Sequence, residues 1–350
     1  MSAPTFGILT GGGDCPGLNA VIRAVTKKLL HDSRAKILGI ADGFEGLVRD
    51  ELRPLSFDDV SGILTRGGTI LGTSNRGDPF GQIDKIRATY RRRNLEGIVA
   101  IGGDGSIAIA GKLSEAGLRF VCVPKTIDND VEGTDLTFGF DTALGVVAHA
   151  VDALHSTADA HRRVMVVEVM GRTAGWIALY GGVAGGADVI LIPEIPFDFG
   201  TVAAAILDRH KTRRFTIVVV AEGARPVGGD VVVQRIVSDA PEPTRLGGIG
   251  ALVARELERL TGYEARVTVL GHLQRGGTPS ATDRILATRF GSAAADLVES
   301  GQWGRMVALQ GNVLVPVPLE TVAGKRKLVP TDHELIRAAE AIGTHFGRPQ

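Results

Sequence analysis

Between Pro124 and Asp130 the chain reads Pro-Lys-Thr-Ile-Asp-Asn-Asp, a short stretch crowded with reactive side chains. Asp128 and Asp130 put two carboxylates two residues apart, with Lys125 and the Thr126 hydroxyl beside them. A carboxylate in such a loop can take a proton or hold Mg²⁺ through water, and a lysine can meet phosphate charge. The set is poor for packing and suits chemistry on a hydroxyl beside a phosphate. It follows Phe120-Val121-Cys122-Val123, an apolar run that reads as a buried strand.

The same arrangement recurs along the chain. Phe6–Thr10 leads into Gly11-Gly12-Gly13-Asp14-Cys15-Pro16-Gly17 and a helix from about Asn19 to Leu30. Gly97–Ile101 leads into Gly102-Gly103-Asp104-Gly105-Ser106 and a helix to about Ala116. Val164–Val169 precedes Met170-Gly171-Arg172 and a helix through Leu179, while Phe215–Val220 precedes Glu222-Gly223. Arg266–Leu270 precedes Gly271-His272-Leu273-Gln274-Arg275-Gly276-Gly277. Continuous β-branched runs alternating with helices predict parallel sheets covered on both faces. Open parallel sheets bind ligands beyond the carboxyl ends of their strands, which is where these polar clusters fall. Any one cluster could be ordinary turn residues; six at six strand ends argue for a site.

With 350 residues, 44% of them apolar, the chain suits two medium domains better than one small core. The 47 glycines and 5% aromatics fit tight strand-to-helix turns rather than an all-β sandwich. The 39 basic and 39 acidic residues balance, which argues against a nucleic-acid partner. Two cysteines, Cys15 and Cys122, cannot build a disulfide framework or a zinc site. No leader or long apolar run precedes the first strand, so a soluble cytoplasmic protein without a membrane partner is expected. Pro226–Gly248 reads as a surface excursion. Residues 332–347 read as a modest amphipathic helix with a packing or capping role.

Backbone N–H groups at a helix N-terminus form an anion site, and glycine lets a phosphate come close. Both Gly11–Gly17 and Gly102–Ser106 fit, and neither has the spacing of a Walker loop. Gly103-Asp104-Gly105-Ser106-Ile107-Ala108 matches the G-x-G-x-x-A dinucleotide fingerprint, so an NAD-dependent Rossmann dehydrogenase is a rival reading. Asp104 counts against it: a carboxylate inside a phosphate cradle fits a Mg²⁺-bound nucleotide better than NAD.

Taken together, these motifs resemble the bacterial-type phosphofructokinases. The matching pieces are Gly11–Asn19, Gly102–Ser106, Pro124–Asp130, Gly139-Phe140-Asp141-Thr142-Ala143, Met170–Arg172 and Gly271–Gly277, in family order. A lone Gly-Gly-Asp-Gly is weak, whereas the Thr-Ile-Asp-Asn-Asp and Gly-His-Leu-Gln-Arg-Gly-Gly segments together are specific. The resemblance implies two Rossmann-like three-layer α/β domains with mainly parallel sheets and the active site in the cleft between them. It places a larger donor domain at 1–140 plus about 275–325, a sugar-phosphate domain at 141–274, and a helical tail at 326–350. It implies Mg²⁺-dependent phosphoryl transfer to the 1-hydroxyl of fructose 6-phosphate, a step of glycolysis. By the resemblance Asp128 would be the general base, supported by Asp130, and Arg172 would neutralise the moving phosphoryl group. Asp104 would hold Mg²⁺, and Gly12, Gly103, Gly105, Ser106 and Lys125 would line the donor. Thr126 and Ile127 would face the sugar phosphate, Met170 and Gly171 would shape its pocket, and Glu222 would take a sugar hydroxyl. His272 and Arg275 would grip the 6-phosphate, with Arg163 and Arg266 reaching it from a neighbouring subunit. A homo-oligomer, dimer or tetramer, follows. Taken alone, Arg163 and Arg266 read as solvated and His272 as structural.

The donor, ATP or pyrophosphate, is the open point. The resemblance pairs Gly after the metal Asp with ATP, and Asp there, with Lys before the Thr-Ile-Asp loop, with pyrophosphate. This chain has Gly105 and Lys125, a mixed signature. A carboxylate at position 105 would sit near the α-phosphate of a nucleotide, and like charges about 4 Å apart cost up to ~4 kcal/mol near a surface. Gly105 removes that obstacle and favours ATP. After Gly67-Gly68-Thr69-Ile70-Leu71-Gly72, the donor-loop arginine expected by the family falls to Arg76, with Asn75 as the other register. His155 stands where an effector-site arginine is expected, so allosteric control is not carried over.

Overall fold

The computed structural model describes residues 3–74, 78–236 and 244–349. The chain divides into two compact units, 1–142 with 275–327, and 143–274 with 328–350.

The first unit is built on a seven-stranded sheet. Its strands are β1 (Thr5–Thr10), β2 (Lys36–Ile40), β3 (Leu52–Pro54), β4 (Gly97–Gly102), β5 (Phe120–Pro124), β12 (Arg305–Gln310) and β13 (Val313–Pro318). They lie in the order β13-β12-β5-β4-β1-β2-β3, with β3 and β13 antiparallel at the edges and the rest parallel. Strand order reverses between β1 and β4, so the loops after these two strands lie side by side. Helices α1 (Leu18–Asp32), α2 (Phe44–Arg49), α3 (Ile83–Arg92), α4 (Asp104–Glu115), α9 (Ala281–Glu299) and α10 (Leu319–Val322) belong to this unit. Alternate strand residues serve opposite faces. Leu9, Ile98, Ala100 and Phe120 join the cluster formed with Ile86, Ile107, Leu113 and Val322. Ile8, Val99 and Val121 are equally buried toward the opposite face, where α1 and α9 cross closely at Gly291. Phe140–His161 forms α5, whose first residues still belong to this unit. Its start is fixed by Asp283, 1% exposed, whose Oδ2 accepts the N–H and hydroxyl of Thr142 at 2.8 and 2.5 Å.

The second unit carries a four-stranded parallel sheet, β11-β6-β8-β7. The strands are β6 (Val164–Val169), β7 (Val189–Leu191), β8 (Thr216–Ala221) and β11 (Ala265–Val269). Helices α7 (Phe199–Arg209) and α8 (Ile249–Thr261) cover one face through Val202, Ile206, Val253 and Leu257. On the other face lies α6 (Trp176–Ala184), whose Gly182 leaves no room for a Cβ beside Ile190. Glu168 is a buried acid inside β6; its carboxylate accepts the N–H groups of Gly248 and Gly250 at the start of α8. A two-stranded ribbon, β9 (Val233–Ile236) with β10 (Thr244–Leu246), stands where a surface excursion is expected.

Both sheets agree with the expected α/β class, and no helix among the described residues is long and apolar enough to cross a membrane. Residues 328–350 are not a tail of their own. The amphipathic segment forms the short α11 (Glu334–Ala341), and the chain then runs along β7. There His345 takes up the Ile190 N–H and gives its own to the Asp188 carbonyl, both at 2.9 Å. These bonds satisfy an otherwise open sheet edge, which is why the end joins the second unit.

The loops after β6 and β8 are fastened together by Glu222 N–H to the Val169 carbonyl at 2.9 Å and Gly223 N–H to that of Gly171 at 3.1 Å. A Cβ on Gly223 would overlap the Arg172 carbonyl. Gly223→Ala should therefore destabilise the protein by about 1–3 kcal/mol, read as a lower urea midpoint; an unchanged midpoint would show that the loops can part freely.

Candidate active site

The acid loop leaves β5 at Pro124 and is held by its own polar groups. Lys125 N–H donates to the Gly102 carbonyl at 2.9 Å, tying the loop to the one after β4. The Thr126 hydroxyl accepts the Asp128 N–H at 3.0 Å and keeps its own proton free to donate. Asn129 takes a left-handed conformation, φ 52°, which asparagine tolerates better than most side chains. Its Oδ1 accepts from the Thr137 N–H at 3.0 Å and from Lys327 Nζ at 3.2 Å. Ile127 is fully buried, so its side chain anchors the loop and only its main chain is left for a substrate.

This scaffold holds Asp128 in an unusual state. The residue is half-buried, yet its Oδ1 is shielded from solvent and has no hydrogen-bond partner among the described residues. Burial pushes its carboxyl above the usual range, while the Arg275 and Lys125 charges oppose the rise. Asp130 is pushed up to about 7 by burial and by the negative charges of Asp128 and Asp104. A carboxylate that is hard to ionise and has an open lone pair is equipped to take a proton.

The two glycine loops meet beside it. Ser106, in the first turn of α4, is buried against Gly11 and Gly102, and a Cβ on Gly102 would overlap it. Its hydroxyl therefore fixes the crossing of the two loops, and its main-chain N–H is what remains for a phosphate. The first turn of α4 has no side-chain cap, so its opening N–H groups can serve an anion. Gly12 lies at φ 77°, with its carbonyl taking the Thr73 hydroxyl at 2.5 Å. Lys125, 3% exposed, donates through Nζ to the Gly13 carbonyl, and burial lowers its pKa. Its cation thus lies beneath the first glycine loop. A Cβ on Gly105 would meet nothing within 4 Å. Asn75 and Arg76, the two choices for the donor-loop position, lie outside the described residues.

Arg275, expected at the sugar 6-phosphate, also touches the first glycine loop. Nη1 donates to the Asp14 carbonyl at 3.1 Å, and its guanidinium fills the space beside Gly13. The turn that places it, Gly271–Arg275, ends where the chain re-enters the first unit. This places Arg275 at the first glycine loop.

In the second unit, Met170, Gly171, Arg172 and Glu222 stand together beyond β6 and β8. Met170 N–H donates to Gln274 Oε1 at 3.4 Å, Gly171 lies at φ 133°, and Arg172 Nη1 donates to the Thr244 carbonyl at 2.9 Å. Arg163 and Arg266 both pair with Glu264, whose carboxyl is held low chiefly by its bond to Arg163. Sequence reading assigned no part to Glu264, although it stands two residues before Arg266. His272 is exposed.

Two further cations escape a motif search. Arg326 Nε pairs with Asp104 Oδ2 at 2.6 Å. Lys327 Nζ donates to the Thr134 and Asp135 carbonyls, both at 2.8 Å, and burial brings its pKa down to about 8. Among the described residues no three His, Cys, Asp or Glu side chains gather round one point. The site instead offers a hard cation the part-exposed Asp104 carboxylate. That donor set fits Mg²⁺, which usually takes one or two protein carboxylates and fills its shell with water and phosphate oxygens.

Comparison with known proteins bears on the family and the fold. The phosphofructokinase family model matches residues 5–298. The ATP-dependent 6-phosphofructokinase of Spirochaeta thermophila is 49% identical, over 98% of this chain and 97% of its own. The pyrophosphate–fructose 6-phosphate 1-phosphotransferase of Amycolatopsis methanolica is 50% identical, over 93% and 96%. In fold, the chain superposes on a pyrophosphate-dependent phosphofructokinase structure from Nitrosospira multiformis with a TM-score of 0.85, at 23% identity, covering 98% of this chain and 92% of that one. The fold, the motifs and these matches agree, and the chain belongs to the phosphofructokinase family.

Proposed function

We propose that the protein transfers a phosphoryl group from ATP to the 1-hydroxyl of fructose 6-phosphate, giving fructose 1,6-bisphosphate and ADP. The observation that carries the reaction is the buried, unpartnered Oδ1 of Asp128. Asp128 accepts the hydroxyl proton as the oxygen attacks the γ-phosphorus, and the bond to the bridging oxygen of ADP breaks. Burial and the Asp104 charge raise the proton affinity of that base, and its own charge in turn raises that of Asp130. Opening N–H groups of α4 receive donor phosphate oxygens, and Lys125 and Arg275 supply positive charge beneath and beside the first glycine loop. Mg²⁺, held through Asp104, would neutralise donor oxygens as negative charge shifts between them. Arg172 would meet the moving phosphoryl group. Met170, Gly171, Glu222 and Thr126 would shape the sugar site, and His272, Arg163 and Arg266 would serve the 6-phosphate. The dehydrogenase reading is set aside, because the Gly103–Ala108 fingerprint lies inside a phosphofructokinase match.

ATP is favoured by the open space at Gly105, where an α-phosphate can be received without steric or charge conflict. Burial of Lys125 supports the same reading: its stem is drawn under the loop rather than extended above it. Pyrophosphate is the second reading, favoured by the presence of that lysine and by the name of the Amycolatopsis relative. A homo-oligomer fits the exposed apolar residues Val267, Val269 and Leu273 beside Arg266, which a second copy would cover. A cytoplasmic site of action fits the free, buried Cys15 and Cys122.

Assays coupled to fructose 1,6-bisphosphate formation test the donor: turnover with MgATP is expected, and turnover with pyrophosphate but none with MgATP would overturn the ATP reading. Asp128→Ser should lower kcat by at least about 10²–10⁴ while fructose 6-phosphate still binds. Near-wild-type turnover would remove Asp128 from the role of base.

A further inference from the structure

Arg326 comes from the segment that follows α10, more than two hundred positions after Asp104, and no motif of the reaction includes it. Its main chain is fixed to the acid loop by an antiparallel bridge to Val131 and by the Lys327 N–H on the Asp130 carbonyl at 2.9 Å. Lys327 adds three more bonds through Nζ, to Asn129 Oδ1 and to the carbonyls of Thr134 and Asp135. From this fixed base the Arg326 side chain crosses to the first turn of α4 and places Nε 2.6 Å from Asp104 Oδ2. Both partners are about one-third exposed, Arg326 34% and Asp104 29%, so the contact can open without dismantling the core.

We propose that Arg326 is a positioning residue for the donor metal: it neutralises and orients the Asp104 carboxylate while no metal is bound, then yields it to the Mg²⁺ that arrives with the donor. The inference rests on the reading of Asp104 as the metal-binding residue. A guanidinium and a divalent cation compete for the same carboxylate oxygen, and the stronger, compact charge takes it when present. Without either, the Asp104 charge would go unopposed and add to the electrostatic load on Asp128 and Asp130. Arg326 offsets much of that charge and holds the carboxylate in one orientation. A simple structural clip or a phosphate-binding arginine would act on donor binding equally with and without metal.

Calorimetric titration of the full-length protein with ADP and with imidodiphosphate, each in excess Mg²⁺ and in EDTA, separates these roles. Arg326→Gln should weaken metal-free binding by roughly tenfold, a loss of one part-exposed charge-assisted contact. Binding with Mg²⁺ should stay unchanged or tighten, and Arg326→Lys should recover part of the metal-free loss. Equal weakening under both conditions, or no change under either, would overturn the proposal. Asp104→Asn serves as the control for the underlying reading and should lose most of the Mg²⁺ dependence. If it keeps that dependence in full, the assignment of the metal to Asp104 fails, whatever Arg326 does. If only imidodiphosphate binds, the ATP reading fails and the Arg326 comparison is made with that ligand.

Discussion

A carboxylate oxygen shielded from water and left without a hydrogen bond is costly to ionise, and the structure around Asp128 is organised to maintain that state. Its main-chain N–H is satisfied by Thr126, so the turn holds without help from the carboxylate. Asn129 takes the strained position in the loop and absorbs the Thr137 N–H and the Lys327 ammonium, leaving its neighbour unpartnered. Asp130 adds a second negative charge instead of a compensating positive one. Arg275, Lys125 and Arg326 supply the opposing charge, yet the Asp128 carboxyl still sits above the usual range. The balance leaves Asp128 with a stronger hold on a proton than an ordinary carboxylate has.

Such a site depends on where the sheet places its loops. The reversal of strand order between β1 and β4 sets the two glycine loops side by side, and β5 delivers the acid loop to the neighbouring strand end. Ser106 and the Lys125 N–H bond then hold the three loops in register. In the second unit, β6 and β8 do the same for Arg172 and Glu222, with Gly223 allowing the backbones to touch. Rigid parallel strands buried on both faces thus carry the precision, and the polar turns carry the chemistry.

Much of this was legible in the sequence, for physical reasons. A run such as Val164–Val169 is too apolar and too β-branched to be anything but a buried strand, and its bounds are the observed ones. The Gly-rich turns after β1 and β4 and the acids after β5 follow from local composition. What escaped is set by tertiary approach. Arg326 and Lys327 reach the acid loop from a distant part of the chain, and nothing in Gly324-Lys325-Arg326-Lys327 marks it as more than a basic turn. Ile127 sits among functional residues in sequence but points into the core. The side of the site that Arg275 faces, and the Glu264 bridge between Arg163 and Arg266, are likewise decided by packing.

Asp128, the base of the proposed reaction, has its proton affinity raised by burial and is coupled to Asp130. The most direct measurement is the pH dependence of the rate with fructose 6-phosphate and donor both far below saturation, which reports groups on the free enzyme, in wild type and in Asp130→Asn. As the proposed base, Asp128 would act in its ionised form, so the rate should fall as pH drops through the range, raised above that of an ordinary carboxylate, where the pair takes up a proton. Removing the Asp130 charge eases ionisation of Asp128 and should move that limb to lower pH. Titrations of the substrates are common to both enzymes and cancel in the comparison. An acid limb at the same pH in both enzymes would contradict the coupling of the two carboxylates on which the mechanism rests.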